Sequence, residues 1–134
     1  MRAAVLVACG LLAGTASLVA HHSFAVEYDG NMPLTVSGTV AKIDWQNPHV
    51  AVYVDAKDDR GTMARWKFDG YPPNMLLRQG WKRDTTMKVG DAITVTGWRA
   101  RLDPHEGALR DVTLADGTTL RAGPPGSFHK EVQP

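Results

Sequence analysis

The chain has 134 residues, 15 basic and 14 acidic side chains, five histidines and a formal charge of +1. That length suits one domain, and near-neutrality argues against a partner held by bulk positive charge, such as nucleic acid or an anionic membrane surface. The one cysteine, Cys9, excludes an intramolecular disulfide and a thiolate metal cluster.

Residues 1–20, "MRAAVLVACGLLAGTASLVA", read as a secretory signal. Arg2 supplies the positive end, Val5 to Ala13 the apolar middle, and small residues lead up to Ala20. Gly10, Gly14, Thr15 and Ser17 interrupt the run, which falls short of the about 20 apolar residues a bilayer span needs. The expectation is removal after Ala20, with Ala16 as the alternative cleavage point, and no stable membrane anchor. Too few apolar residues precede Cys9 for a lipoprotein signal. Removal takes Arg2 and leaves basic and acidic residues in balance. The expected location is the bacterial periplasm.

Residues 21–33 form an arm in which Phe24, Val26 and Tyr28 alternate with polar or small residues, the pattern of an added edge strand. Residues 34–45 read as a long strand with Leu34, Val36, Gly38 and Val40 on one face. The phase then slips to Ile43, the sign of a bulge or bend. Residues 49–56 alternate cleanly, with Val50, Val52 and Val54 inward, and residues 62–69 return with Ala64, Trp66 and Phe68 inward. The turn cluster 57–61 joins them as a hairpin. The stretch 70–81, "GYPPNMLLRQGW", predicts a two-turn helix with Asn74 as cap, Met75, Leu76 and Leu77 as its apolar face and Gly80 as its stop. Residues 87–100 give a turn and a strand with Ile93, Val95 and Gly97 inward. Residues 107–122 give a hairpin about a two-residue Asp116-Gly117 turn. The order predicts an all-β fold, a five-stranded OB-like barrel over 34–122 with one short helix between strands three and four. The Gly- and Pro-rich tail 123–134 is expected to be irregular.

The combination of "HHSFAVEYD", "GTVAKIDWQNPHV", "PPNMLLRQGW" and "VGDAITVTGWRAR" resembles a group of small exported bacterial proteins catalogued as domain of unknown function 6152. The resemblance spans residues 21–120. It implies export, one small β-rich domain and a role for the segment that starts at His21. It implies no activity and no catalytic residue.

Two candidate sites stand out. Cleavage after Ala20 frees the α-amino group of His21, and that amine and its own imidazole chelate one metal ion. A further imidazole from His49, His22, His105 or His129 completes a planar nitrogen set of the kind Cu(II) prefers. Amine and imidazole, with pKa values of about 7.7–8.0 and about 6.5, both bind metal at neutral pH. Copper leads zinc because there is no cysteine and no close-spaced set of three ligands. The metal set is therefore His21, His22 and His49. The plain alternative has the two terminal histidines solvated and His49 bracing the Asn47-Pro48 bend. The second candidate is a metal-free, ligand- or protein-binding corner made of Trp45, Asn47, His49 and Tyr53, against which Trp45 caps the barrel instead. The basic residues Arg99, Arg101, Arg78, Lys82 and Arg83, with Trp98 and His105, read as a solvated face. No G-x-S-x-G, H-E-x-x-H or P-loop occurs. The expectation is an exported binding protein and not an enzyme. Its partner is a metal ion, copper first, or a small ligand or another periplasmic protein.

Overall fold

The computed structural model describes residues 24–124. The expected signal at 1–20, its cleavage points, His21, His22 and His129 lie outside the described residues. The strands are β1 (Tyr28–Asp44), β2 (Ala51–Lys57), β3 (Met63–Asp69), β4 (Ala92–Ala100), β5 (Glu106–Leu114) and β6 (Thr119–Arg121), with a helix, α1 (Pro73–Arg78), between β3 and β4. β1 pairs antiparallel with both β2 and β4, β2 with β3, and β4 with β5. A short parallel seam, Lys67–Asp69 of β3 against Glu106–Ala108 of β5, completes a ring of five strands. This is the OB-like plan, with its helix between strands three and four. β6 is a sixth strand outside the ring, paired to the far half of β5.

β1 serves both sides of the ring because it changes partner midway. It pairs with β4 as far as Thr39 and with β2 from Thr39 onward. Gly38 sits at that change, where a Cβ would stand 2.3 Å from the Asp55 carbonyl oxygen and 2.7 Å from the Ala56 Cβ. Only glycine lets the strands approach so closely. The register then shifts between Val40 and Lys42, so the buried phase passes from Val40 to Ile43 and Trp45, both packed against the core. The slip read from the sequence is this bulge.

The core is built of alternate residues. Val50, Val52, Val54, Trp66, Phe68, Val95 and Val112 have essentially no exposure, each worth about 1.5–3 kcal/mol of transfer free energy when fully buried. α1 plugs the ring between β3 and β4 through Leu76. The expected cap at Asn74 is wrong: Pro72 occupies the cap position and Pro73 the first helical position, with no side-chain cap bond. Proline fits there because its missing N–H would have had no helical partner. A helix this short also presents only one position fully inward, so Leu77 is 54 % exposed. It ends as expected at Gly80, whose φ is +92°. The Trp81 N–H then bonds the Leu76 carbonyl and the Gly80 N–H that of Leu77, a Schellman stop with Leu76 and Trp81 as its apolar pair.

Two further expectations change in detail. Phe24 and Val26 do not extend a strand: residues 24–27 make one helical turn, and the Phe24 and Tyr28 rings meet at 4.9 Å, the i, i+4 contact of helical spacing. The β5–β6 loop has three residues, not two. Leu114 and Thr118 are the last bonded pair, and Gly117, at φ +87°, closes a turn from Leu114.

Candidate functional site: a cleft beside His49

Three segments meet beyond the end of β3. The Gly70 N–H bonds the Val50 carbonyl at 2.8 Å, the Val50 N–H bonds the Tyr71 carbonyl at 3.1 Å, and the Tyr71 N–H bonds the Ala122 carbonyl at 2.7 Å. The turn at 24–27 is held against the β4–β5 loop, where the Arg101 N–H bonds the Glu27 carbonyl and its Nε the Ala25 carbonyl, both at 2.8 Å. Between these segments lies a cleft of about 310 Å³. Its walls include Phe24, Glu27, Tyr28, His49, Asp69, Gly70, Tyr71, Leu109 and Pro124.

Among the described residues of the two candidate sets, His49 alone lines this cleft. Its Nδ1 is 3.1 Å from the Gly70 carbonyl oxygen. A carbonyl only accepts, so Nδ1 is the donor, and in the neutral ring Nε2 is left with a free lone pair. A carbonyl behind one ring nitrogen is the arrangement that orients metal-binding histidines. Gly70 is itself fixed, since a Cβ there would lie 3.0 Å from both the Ala122 carbonyl oxygen and Leu109 Cδ1.

Two carboxylates, Glu27 and Asp69, stand in an otherwise largely apolar wall, and Asp69 is already engaged. The Tyr28 hydroxyl donates to Asp69 Oδ2 at 2.8 Å. Burial pushes the Tyr28 phenol well above its ordinary pKa, and the Asp69 bond and the charges of Asp69, Glu27 and Glu106 push it the same way, so it stays protonated. Lys67 lies 3.4 Å from Asp69 and 3.9 Å from Glu106. Burial opposes its charge, and the two carboxylates outweigh that and hold its pKa up.

The other sequence candidates are placed elsewhere. Trp45 is half-buried against the main core. Asn47 is exposed and joined to Pro48 by a cis peptide. Tyr53 is half-buried on the outer face of β2, with Lys42 Nζ 5.1 Å from its ring centroid. None of these three lines the cleft. His49 braces Gly70 and not the Asn47-Pro48 bend. His105 is engaged away from the cleft, its ring edge on Trp66 at 5.2 Å and its Nε2 3.5 Å from Asp58 Oδ2. Arg99 and Arg101 are paired with Asp59 at 2.7 Å and Asp29 at 3.4 Å. Among the described residues no group of three His, Cys, Asp or Glu side chains is arranged to hold a metal ion, and no helix is long and apolar enough to cross a membrane. Sequence reasoning missed Tyr28, Asp69 and the Gly70 carbonyl, because they come together only through the ring.

A family model described as a family of unknown function, DUF6152, covers residues 8–109. No curated protein and no solved structure matches the chain.

Proposed function

The chain belongs to the DUF6152 family of unknown function, and from that premise we propose an exported periplasmic protein that binds Cu(II) and is not an enzyme. The amine and Nδ1 of His21 chelate the ion once the signal is removed after Ala20, and His49 Nε2 joins them, with His22 beside the site. The observation that carries this reading is the His49–Gly70 bond. It leaves Nε2 as a lone-pair donor in a cleft that Phe24 also lines. His21 stands three positions before Phe24, a span of at most about 10 Å. The carboxylate of Glu27 in the cleft wall favours a cation there, while that of Asp69 is already paired with Lys67.

The test has two steps. Intact mass of the secreted protein is expected to give His21 as the first residue. Cu(II) titration of that protein against His49→Ala is expected to show affinity weakened by at least about tenfold, since even the outer partners of metal ligands cost 10–100-fold when removed. A first residue other than His21, or equal affinity in the variant, would overturn the copper reading. The cleft would then be read as a metal-free site for a small ligand.

A further inference from the structure

Three aromatic side chains line the cleft beside His49. Phe24 and Tyr28 come from the arm, their ring centroids 4.9 Å apart and their planes tilted by 40°. A tilt of that size makes a corner and not a parallel stack. Tyr71 comes from the segment after β3. Both segments are fixed by backbone bonds. The N–H and carbonyl of Tyr71 are used by Ala122 and Val50, and Arg101 holds the turn at 24–27 through two carbonyls. The aromatic wall is therefore in place before a ligand arrives, which lowers the cost of ordering it on binding.

Charge favours one sign of ligand. Among the described residues that line the cleft there is no lysine or arginine. Asp69 is engaged by the Tyr28 hydroxyl at 2.8 Å and by Lys67 at 3.4 Å. Donation to that carboxylate polarises the phenol and leaves its aromatic ring richer in electrons. Glu27 is exposed and has no ion-pair partner among the described residues. Aromatic faces attract cations, and an unpaired carboxylate beside them adds to that attraction. A methylated ammonium suits both. Its charge is spread over an apolar surface that aromatic side chains cover without leaving an N–H donor unpaired.

We infer that the cleft is an aromatic cage for a small organic cation bearing a methylated ammonium group, with Phe24, Tyr28 and Tyr71 around the methyl groups and Glu27 as the counter-charge. The volume of about 310 Å³ lies at the low end of the about 300–1,000 Å³ of small-molecule pockets, which suits a free cation of a few heavy atoms. This goes beyond the copper reading and does not rest on it, since neither His49 nor a free amine at His21 takes part. Two cations would exclude each other from one cleft, so the test is made with metal chelated.

The test uses the full secreted protein with a chelator present and choline as the probe, read by titration calorimetry. The control ligand is dimethylbutanol, the uncharged isostere in which carbon replaces the ammonium nitrogen. Choline is expected to bind wild type about tenfold more tightly than the isostere. Tyr71→Leu keeps apolar bulk and Glu27→Gln keeps shape, and each is expected to weaken choline binding by about threefold or more. Asp84→Asn removes the same charge at an exposed position outside the cleft and is expected to match wild type. Thermal melts identify any variant that is unfolded at the titration temperature, and Phe24→Leu, outside the ring of strands, repeats the aromatic test if Tyr71→Leu does not fold. Absence of choline binding, equal binding of the isostere, or wild-type affinity in both Glu27→Gln and the aromatic variant would overturn the cage. Each of these outcomes leaves the copper reading to its own titration of Cu(II) against His49→Ala.

Discussion

Tyr28 shows how one residue ties the arm to the barrel. Its ring is 7 % exposed, packed with Trp98 and Ala108, and its hydroxyl donates to Asp69 across the cleft. Removing the hydroxyl in Tyr28→Phe leaves the ring packing and deletes one hydrogen bond to a charged acceptor, an expected loss of about 1.5–3 kcal/mol. The pH dependence follows from the raised phenol pKa. A group whose folded pKa is raised gives stability that is complete below its unfolded value, about 10 for tyrosine, and lost as pH rises toward the folded value. Above about pH 10 the unfolded chain releases the phenolic proton and the folded chain keeps it, so stability falls by about 1.4 kcal/mol per pH unit. Urea melts from pH 8 to 11 are expected to show wild type losing stability more steeply than Tyr28→Phe. Parallel slopes would show that Tyr28 is not held protonated.

The elements differ in how far their sequences announced them. β2, β3 and β4 mostly alternate because one face of each is core, and most of their inward residues were legible; Ala51 beside Val52 and Trp98 beside Gly97 break the alternation, buried on both faces. The bend of β1 was legible too, since Gly38 and the slip from Val40 to Ile43 are both written in the chain. The arm misled because Phe24, Val26 and Tyr28 fit a period of two over a stretch too short to distinguish it from a helical turn. What fixes the turn is distant, the two bonds from Arg101. The β2–β3 loop belongs to the legible class. Asp58 Oδ1 accepts the N–H groups of Arg60 and Thr62, both at 2.9 Å, and Gly61 closes the turn at φ +79°. The Thr62 bond first, then that of Arg60 and the neighbouring His105, hold the Asp58 carboxyl below its usual pKa. Its contribution is therefore present above the unfolded value of about 3.9 and lost as pH falls through the lower folded value. Asp58→Asn is expected to melt below wild type at pH 7, with the gap closing below about pH 4. A gap that persists at pH 3 would mean that the charge is irrelevant to the loop.

At the scale of the molecule, the ring and the cleft share a wall, which explains why the fold was readable and most of the site was not. Strand pairing follows local alternation. The cleft is assembled from residues 24, 27–28, 49, 69–72, 108–109 and 123–124, and no period in the sequence relates them. His49 was visible as a polar residue at a strand mouth, but its partner, a glycine carbonyl, carries no side-chain signature at all. The shared wall has a consequence for binding. Leu109 is 1 % exposed in the main core, lines the cleft, and bounds the space beside Gly70 through its Cδ1. Val95 is equally buried on β4 and does not line the cleft. Leu109→Ala is expected to cost about 2–5 kcal/mol and, by loosening Gly70, to weaken the proposed Cu(II) binding at temperatures where the protein is still folded. Val95→Ala is expected to destabilise the barrel while leaving Cu(II) affinity at the wild-type value. Melts by circular dichroism and Cu(II) titrations of the two variants separate the effects. If both lose stability and neither loses affinity, the carbonyl behind His49 does not depend on the barrel wall. If both lose affinity in proportion to stability, the site reports only the folded fraction. Loss confined to Leu109→Ala would tie the orientation of His49 to the packing of β5, the strand whose two halves close the ring and hold β6.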